Sequence, residues 1–224
     1  MGTGRAPLIL LAKELRAEFR TRELLNTTVV FVLIVVVLFS FTFDPTDAEA
    51  RRYGPGLLWI AFLFAGSLML NPSFAREQTN DTIYALRLAP VEPFAIILGK
   101  ILANFAFLTL AELLMLPVFA VLYNVALLPV LGRLLLVMAL GTLGITVTGT
   151  VFSAVAAQAR MRELLLPLLL LPVLTPVLLA STEATVGLLS EAAELPFIWL
   201  AFLAGFDVVF LTATWLCAEY LLEE

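Results

Sequence analysis

Six apolar runs dominate this chain, each close to or above the ~20 helical residues needed to cross a ~30 Å hydrocarbon core. They are Leu25–Phe43, Gly56–Phe74, Ile101–Tyr123, Leu134–Ala157, Leu164–Ser181 and Leu195–Ala218. The runs are apolar all round and do not alternate with period two over about ten residues, which excludes a β-barrel. Composition agrees: 62% of the 224 residues are hydrophobic and 14% charged, against ~45–50% and ~25% in soluble domains. The sequence specifies an all-α membrane protein with six transmembrane helices, read as a single transmembrane domain over residues 1–224.

The formal net charge of −5 says less than the placement of the bases, because orientation follows Lys and Arg in short loops and largely ignores acids. With the N-terminus inside, Arg5, Lys13, Arg16, Arg20, Arg22, Arg76, Arg87, Lys100, Arg160 and Arg162 are cytoplasmic, and Arg51, Arg52 and Arg133 are outside. This asymmetry puts both termini in the cytoplasm. The outer loop Thr182–Glu194, with Glu183, Glu191 and Glu194 and no base, fits the same orientation.

The first residues read neither as a cleavable signal, since a long apolar run follows without a small-residue cleavage site, nor as a myristoylation signal, since Ala6 stands where Ser or Thr is needed. Leu8, Leu11, Ala12, Leu15 and Phe19 fall at i, i+3, i+4, i+7 and i+11. They share one helical face, with Lys13, Glu14, Arg16 and Arg20 largely elsewhere. The spacing predicts an amphipathic interfacial helix over about residues 8–23, whose bases face anionic headgroups.

Ala75–Pro93 is the largest internal polar segment that this orientation leaves in the cytoplasm. It has room for a helix of about two to three turns, closed by Pro90 and Pro93. Such a helix is a handle through which another protein can push. Glu77 and Asp81 sit at i, i+4 beside Arg76, a pattern open to ion pairing with a docked protein or to plain solvation.

Within the spans, Thr142, Thr146, Thr150 and Ala154 recur at spacing four beside Gly141, Gly149 and Ser153, a helix-packing ridge of the kind that draws helices together in lipid. The partner is another segment of this chain or a second copy. Pro167, Pro172 and Pro176 predict an irregular fifth span, as a kink or a hinge. Glu112 and Asp207 are acids near mid-membrane, where an ionised carboxylate is costly, so each is expected to be protonated, paired or facing a polar cavity. No Lys or Arg lies at matching depth, and hydrogen bonding of a protonated acid to Thr or Asn is the plain structural alternative to function. Lys100, at the cytoplasmic end of the third span, is expected to snorkel.

Catalytic chemistry has little to stand on. The chain has no histidine and one cysteine, Cys217, so the usual zinc ligand, general base and haem axial ligand are missing and no internal disulfide can form. The Gly99-Lys100 pair is not a P-loop, because Phe94 occupies the first glycine position. There is no nucleophile elbow and no metal-ligand spacing, and no basic domain for nucleic acid.

Four stretches carry a family resemblance: KELRAEFRTRELLN before the first span, GPGLLWIAFLFAGSLML through the second, LRLAPVEPFAIILGKILANF from the handle into the third, and LGTLGITVTGTVFSAVAAQARMRELLLPLLLLPVLTPVLL across the fourth and fifth. The order of parts resembles an ABC exporter permease with an amphipathic N-terminal helix and a short cytoplasmic coupling helix after the second span. More narrowly, it resembles the haem exporter protein B family, the permease of bacterial cytochrome c maturation. The chain departs from the family pattern in two places. Thr79, Asn80 and Asp81 replace a Glu-Asp-Gly, and Glu112 is not a family residue.

The resemblance implies a multi-pass protein of the bacterial inner membrane, non-catalytic itself, that couples ATP hydrolysis by a partner to haem handling or to release of a haem-loaded periplasmic chaperone. Its implied partners are a cytoplasmic ATP-hydrolysing subunit, a second permease copy, a haem-handling membrane subunit and a small single-helix subunit, with the chaperone on the outer side. ATP belongs to the partner and haem to other subunits. ATPase coupling falls on Arg76, Glu77, Asp81, Ile83, Leu86 and Arg87. Three rivals keep part of this pattern: an ABC permease for a lipid, drug or polysaccharide, a passive scaffold, and an intramembrane enzyme using Glu112 and Asp207.

Overall fold

The computed structural model describes residues 6–42, 48–70, 91–156, 162–190 and 193–223. Among them are seven α-helices: α1 (Ala6–Thr21), α2 (Glu23–Ser40), α3 (Ala48–Leu70), α4 (Pro93–Leu122), α5 (Leu131–Ala156), α6 (Arg162–Leu189) and α7 (Phe197–Glu223). The last six are long and apolar enough to cross a membrane, and the chain is a multi-pass membrane protein. At ~1.5 Å per residue, α4 is about 45 Å long and reaches past a ~30 Å core. Pro93 opens it at the first helical turn, where a missing N–H is harmless. The handle at Ala75–Pro93 lies outside the described residues apart from its last three.

Helix α5 is the axis of the bundle. Every residue from Gly144 to Thr150 is buried, which at ~3.6 residues per turn means that its whole circumference is covered. Glycines set the approach of its neighbours. A Cβ on Gly141 would collide with the Trp59 ring of α3 and lie 2.6 Å from Ser181 Oγ of α6, and one on Gly149 would collide with Leu70 of α3. Ser153 Oγ adds a hydrogen bond to the Leu70 carbonyl at 2.7 Å. The succession Trp59 to Leu70 therefore tracks Gly141 to Ser153, so α3 and α5 run parallel. Outermost are α2 and α7, each burying a narrow stripe: Thr28, Val32 and Val36 on one, Leu203, Asp207, Thr214 and Ala218 on the other.

One expectation changes. The fifth span does not end at Ser181 in an outer loop from Thr182: α6 continues to Leu189. Thr185, one turn beyond Ser181, is buried and accepts the Trp59 indole N–H at 3.0 Å, so this extension is tied to α3. The three prolines all lie within this one continuous helix. Pro172 and Pro176 are exposed, so their rings lie away from the packed face. Thr175 donates to the Leu171 carbonyl at 2.7 Å between them.

The N-terminal helix also sits differently. Of the predicted apolar face, Leu11 and Leu15 pack against the core, while Leu8, Ala12 and Phe19 are exposed. The docked stripe is Pro7, Leu10, Leu11, Glu14, Leu15 and Glu18, rotated by about a quarter turn. The reason is α4, against which α1 packs: a Cβ on Gly99 would lie 2.7 Å from Leu10 Cβ, so the bare glycine seats the helix. This leaves α1 three flanks, one on α4, one apolar and outward (Leu8, Ala12, Phe19), and one basic (Lys13, Arg16, Arg20).

Candidate functional site

Between α4 and α5 runs a buried polar ladder. Thr142 Oγ1 donates to Glu112, lying 2.7 Å from both carboxyl oxygens. Asn104 Nδ2 donates to Thr150 Oγ1 at 3.0 Å. Asn104 and Glu112 are eight residues apart, as are Thr142 and Thr150, so the rungs register two antiparallel helices about 12 Å apart along the axis. Between them Thr146 donates to the Thr142 carbonyl at 2.8 Å. The threonine ridge thus engages α4 of the same chain, and Glu112, fully enclosed at 0% exposure, has a hydroxyl partner. Asn104 was the member that sequence reasoning missed. Its signal was the eight-residue spacing that it shares with the threonines.

Asp207 lies elsewhere. Its Oδ1 is 3.1 Å from where a Cβ on Gly144 would stand, in a niche shared with Val177 of α6. Thr142 and Gly144 point about 200° apart around α5 at ~3.6 residues per turn. The two acids therefore approach α5 from opposite sides, with the helix between them. Paired carboxylates for acid–base work within reach of one substrate atom are not built here, and the intramembrane-enzyme reading loses its geometric basis.

Near the N-terminal end of α4, Lys100 does not snorkel. It is buried, and its Nζ stands 3.8 Å from Glu14 Oε1, which Lys13 also approaches at 3.4 Å. Four residues on, Glu18 is buried and its Oε1 accepts the Leu25 N–H at 2.9 Å. A carboxylate from α1 thus caps the first turn of α2, where unsatisfied N–H groups and the helix dipole favour negative charge. Arg22, at φ 55, makes the left-handed step that brings the two helix ends together. Neither Glu14 nor Glu18 stood out in the sequence, because each reads as an ordinary solvated acid until α4 and α2 are folded against it. The coupling candidates Arg76, Glu77, Asp81, Ile83, Leu86 and Arg87 lie outside the described residues. Pro93, which begins α4, connects that segment directly to the Gly99–Lys100 seat of α1.

A family model described as CcmB protein matches residues 5–221. The chain belongs to the CcmB family. Curated relatives include Heme exporter protein B of Pseudomonas aeruginosa, 34% identical over 202 residues and 88% of each chain. That of Rhodobacter capsulatus is 34% identical over 197 residues and 88% of each. That of Paracoccus denitrificans is 31% identical over 175 residues, 78% of this chain and 80% of the relative. The family match runs from the residue before α1 into the end of α7, and so takes in both the α1–α4 junction and the α4–α5 ladder.

Proposed function

We propose that this CcmB-family chain is the membrane permease subunit of an ATP-driven complex for cytochrome c maturation. It transmits ATP hydrolysis by a partner to haem handling or to release of a haem-loaded periplasmic chaperone. The observation that carries this reading is the family match over residues 5–221, supported by relatives that each bear the name Heme exporter protein B. In this reading the chain is one permease domain of the bacterial inner membrane with both termini cytoplasmic, the orientation favoured by its loop charges. Its partners are a cytoplasmic ATPase, a second permease copy, a haem-handling membrane subunit, a small single-helix subunit and the chaperone. Catalysis and nucleotide belong to the ATPase, and haem ligation to other subunits.

The physical route is a rigid push. Arg76, Glu77, Asp81, Ile83, Leu86 and Arg87 receive the ATPase, and Pro93 passes the displacement into α4. A packed helix moves as a unit, so α4 carries α1 through Gly99 and Lys100, and α5 through the two polar rungs. The test is co-purification with a co-expressed candidate ATPase subunit from the same organism, with and without charge reversal at Arg76, Glu77 and Asp81, read together with cytochrome c maturation. Weakened recovery and failed maturation in a folded protein are the expected result. Indifference of both abandons the coupling role.

A further inference from the structure

Most hydroxyls described in the spans are used up locally. Thr146, Thr175, Thr185, Thr212 and Thr214 donate to carbonyls four residues back, and Ser40, Ser67 and Ser190 to carbonyls three back. Two fully buried ones have neither such a bond nor a place in the α4–α5 ladder. Thr148 Oγ1 and Ser181 Oγ have no hydrogen-bond partner among the described residues, and neither has either carboxyl oxygen of Asp207. Burial is near complete for all three, at 0%, 0% and 4% exposure.

These orphans share one seam. Ser181 Oγ abuts Gly141 and Asp207 Oδ1 abuts Gly144, while Thr148 is one turn further along α5. Positions 141, 144 and 148 stand at i, i+3 and i+7, one face of the helix. The seam is a stripe about 10 Å long with the carboxyl at its centre and a hydroxyl on each flank, where α5, α6 and α7 meet. Polar groups enclosed in an apolar interior are ordinarily satisfied, and groups left unmatched among the described residues call for a further partner.

The charge state narrows that partner. Of the charged residues on elements packed against α7, Lys100 and Glu112 belong to α4, Arg133 to the outer end of α5, and Arg162, Glu163 and Glu183 to the ends of α6. Glu112 is engaged on the far side of α5. Arg133 is eleven residues from Gly144 and holds the Ala193 carbonyl at 2.7 Å. Glu183, exposed, is six residues beyond Val177, Arg162 and Glu163 open α6 at its other end, and Lys100 is three turns cytoplasmic of Glu112. Among the described residues no hydrogen-bond donor reaches the carboxyl, and one carboxyl with two hydroxyls falls short of the about six to eight oxygens that a calcium site gathers.

We propose that this seam is a site for one small monovalent cation, a proton or a sodium ion, held at Asp207 with the Thr148 and Ser181 hydroxyls on either side. The bare Gly144 lets the Asp207 carboxyl lie against α5. The site is independent of the ATPase contacts, so its failure leaves the permease reading untouched.

A hydrophobic carbodiimide, which modifies protonated carboxyls in apolar surroundings, tests this on the full-length chain in lipid nanodiscs, with adduct sites read by mass spectrometry. The expected result is modification of Asp207 that Asp207→Asn abolishes and Glu112→Gln leaves in place. If sodium protects and potassium does not, the occupant is sodium. If sodium has no effect but labelling falls as pH rises, it is a proton. Ser181→Ala and Thr148→Val retain the carboxyl and should shift the protecting sodium concentration or the pH midpoint. Absence of labelling at Asp207 overturns the proposal, as does labelling indifferent to both sodium and pH, or a profile unmoved by both hydroxyl variants.

Discussion

Thr142 Oγ1 stands 2.7 Å from each carboxyl oxygen of Glu112, so one hydroxyl on α5 answers a fully enclosed acid on α4. The pair is local in space and thirty residues apart in sequence. Removing either side alone leaves a buried polar group without its partner, and removing both does not.

Thr142→Val is therefore expected to destabilise the protein by about 1–3 kcal/mol. The combination of Thr142→Val with Glu112→Met should cost less than the two single changes summed. Thermal unfolding in detergent, run as a double-mutant cycle, measures the coupling. Simple additivity would show that the contact contributes nothing.

Glycine substitutions should split by place. Gly141→Ala drives a methyl into the Trp59 ring and toward Ser181, an overpacking expected to cost about 1–3 kcal/mol. Gly205→Ala meets nothing within 4 Å, so the better helix propensity of alanine should leave stability unchanged or raised by up to ~1 kcal/mol. Melting temperatures of the two variants in one detergent check the order.

At the α1–α4 junction, Glu14→Lys places like charges against buried Lys100 and should loosen α1. Limited proteolysis of right-side-out and inverted vesicles is the measurement, with faster cutting within residues 6–21 in the orientation that exposes α1 as the expected outcome. Adding Lys100→Glu restores opposite charges and should recover part of the protection. Equal cutting in all three proteins would mean that α1 is held by Leu10 and Leu11 packing alone.

Tryptophans report the lipid boundary. Trp59 is 1% exposed and Trp215 is 55% exposed, so brominated lipids should quench Trp215 and spare Trp59 in single-tryptophan variants. Trp59→Phe removes the N–H donated to Thr185 and is expected to cost about 1 kcal/mol, without altering the quenching of Trp215.

Spans were legible because an uninterrupted apolar run of that length has no stable alternative in lipid. Their ends were less so. Nothing in the apolar count separates Ser181 from Leu189, and only the Trp59–Thr185 bond across two helices carries α6 onward. The threonine ridge was visible as spacing, but its partner helix was not, since four-residue repeats of small residues suit any close neighbour.

Length, hydrophobicity and the distribution of bases thus determined by themselves that this chain is a six-span helical membrane protein, because the bilayer allows no unsatisfied backbone. Tertiary structure alone decided which face of α1 docks, that Glu112 is answered by Thr142, and that α5 separates Glu112 from Asp207. Each of these depends on helices meeting at chosen angles and depths, and a helix apolar on all sides carries no mark of which side will meet its neighbour.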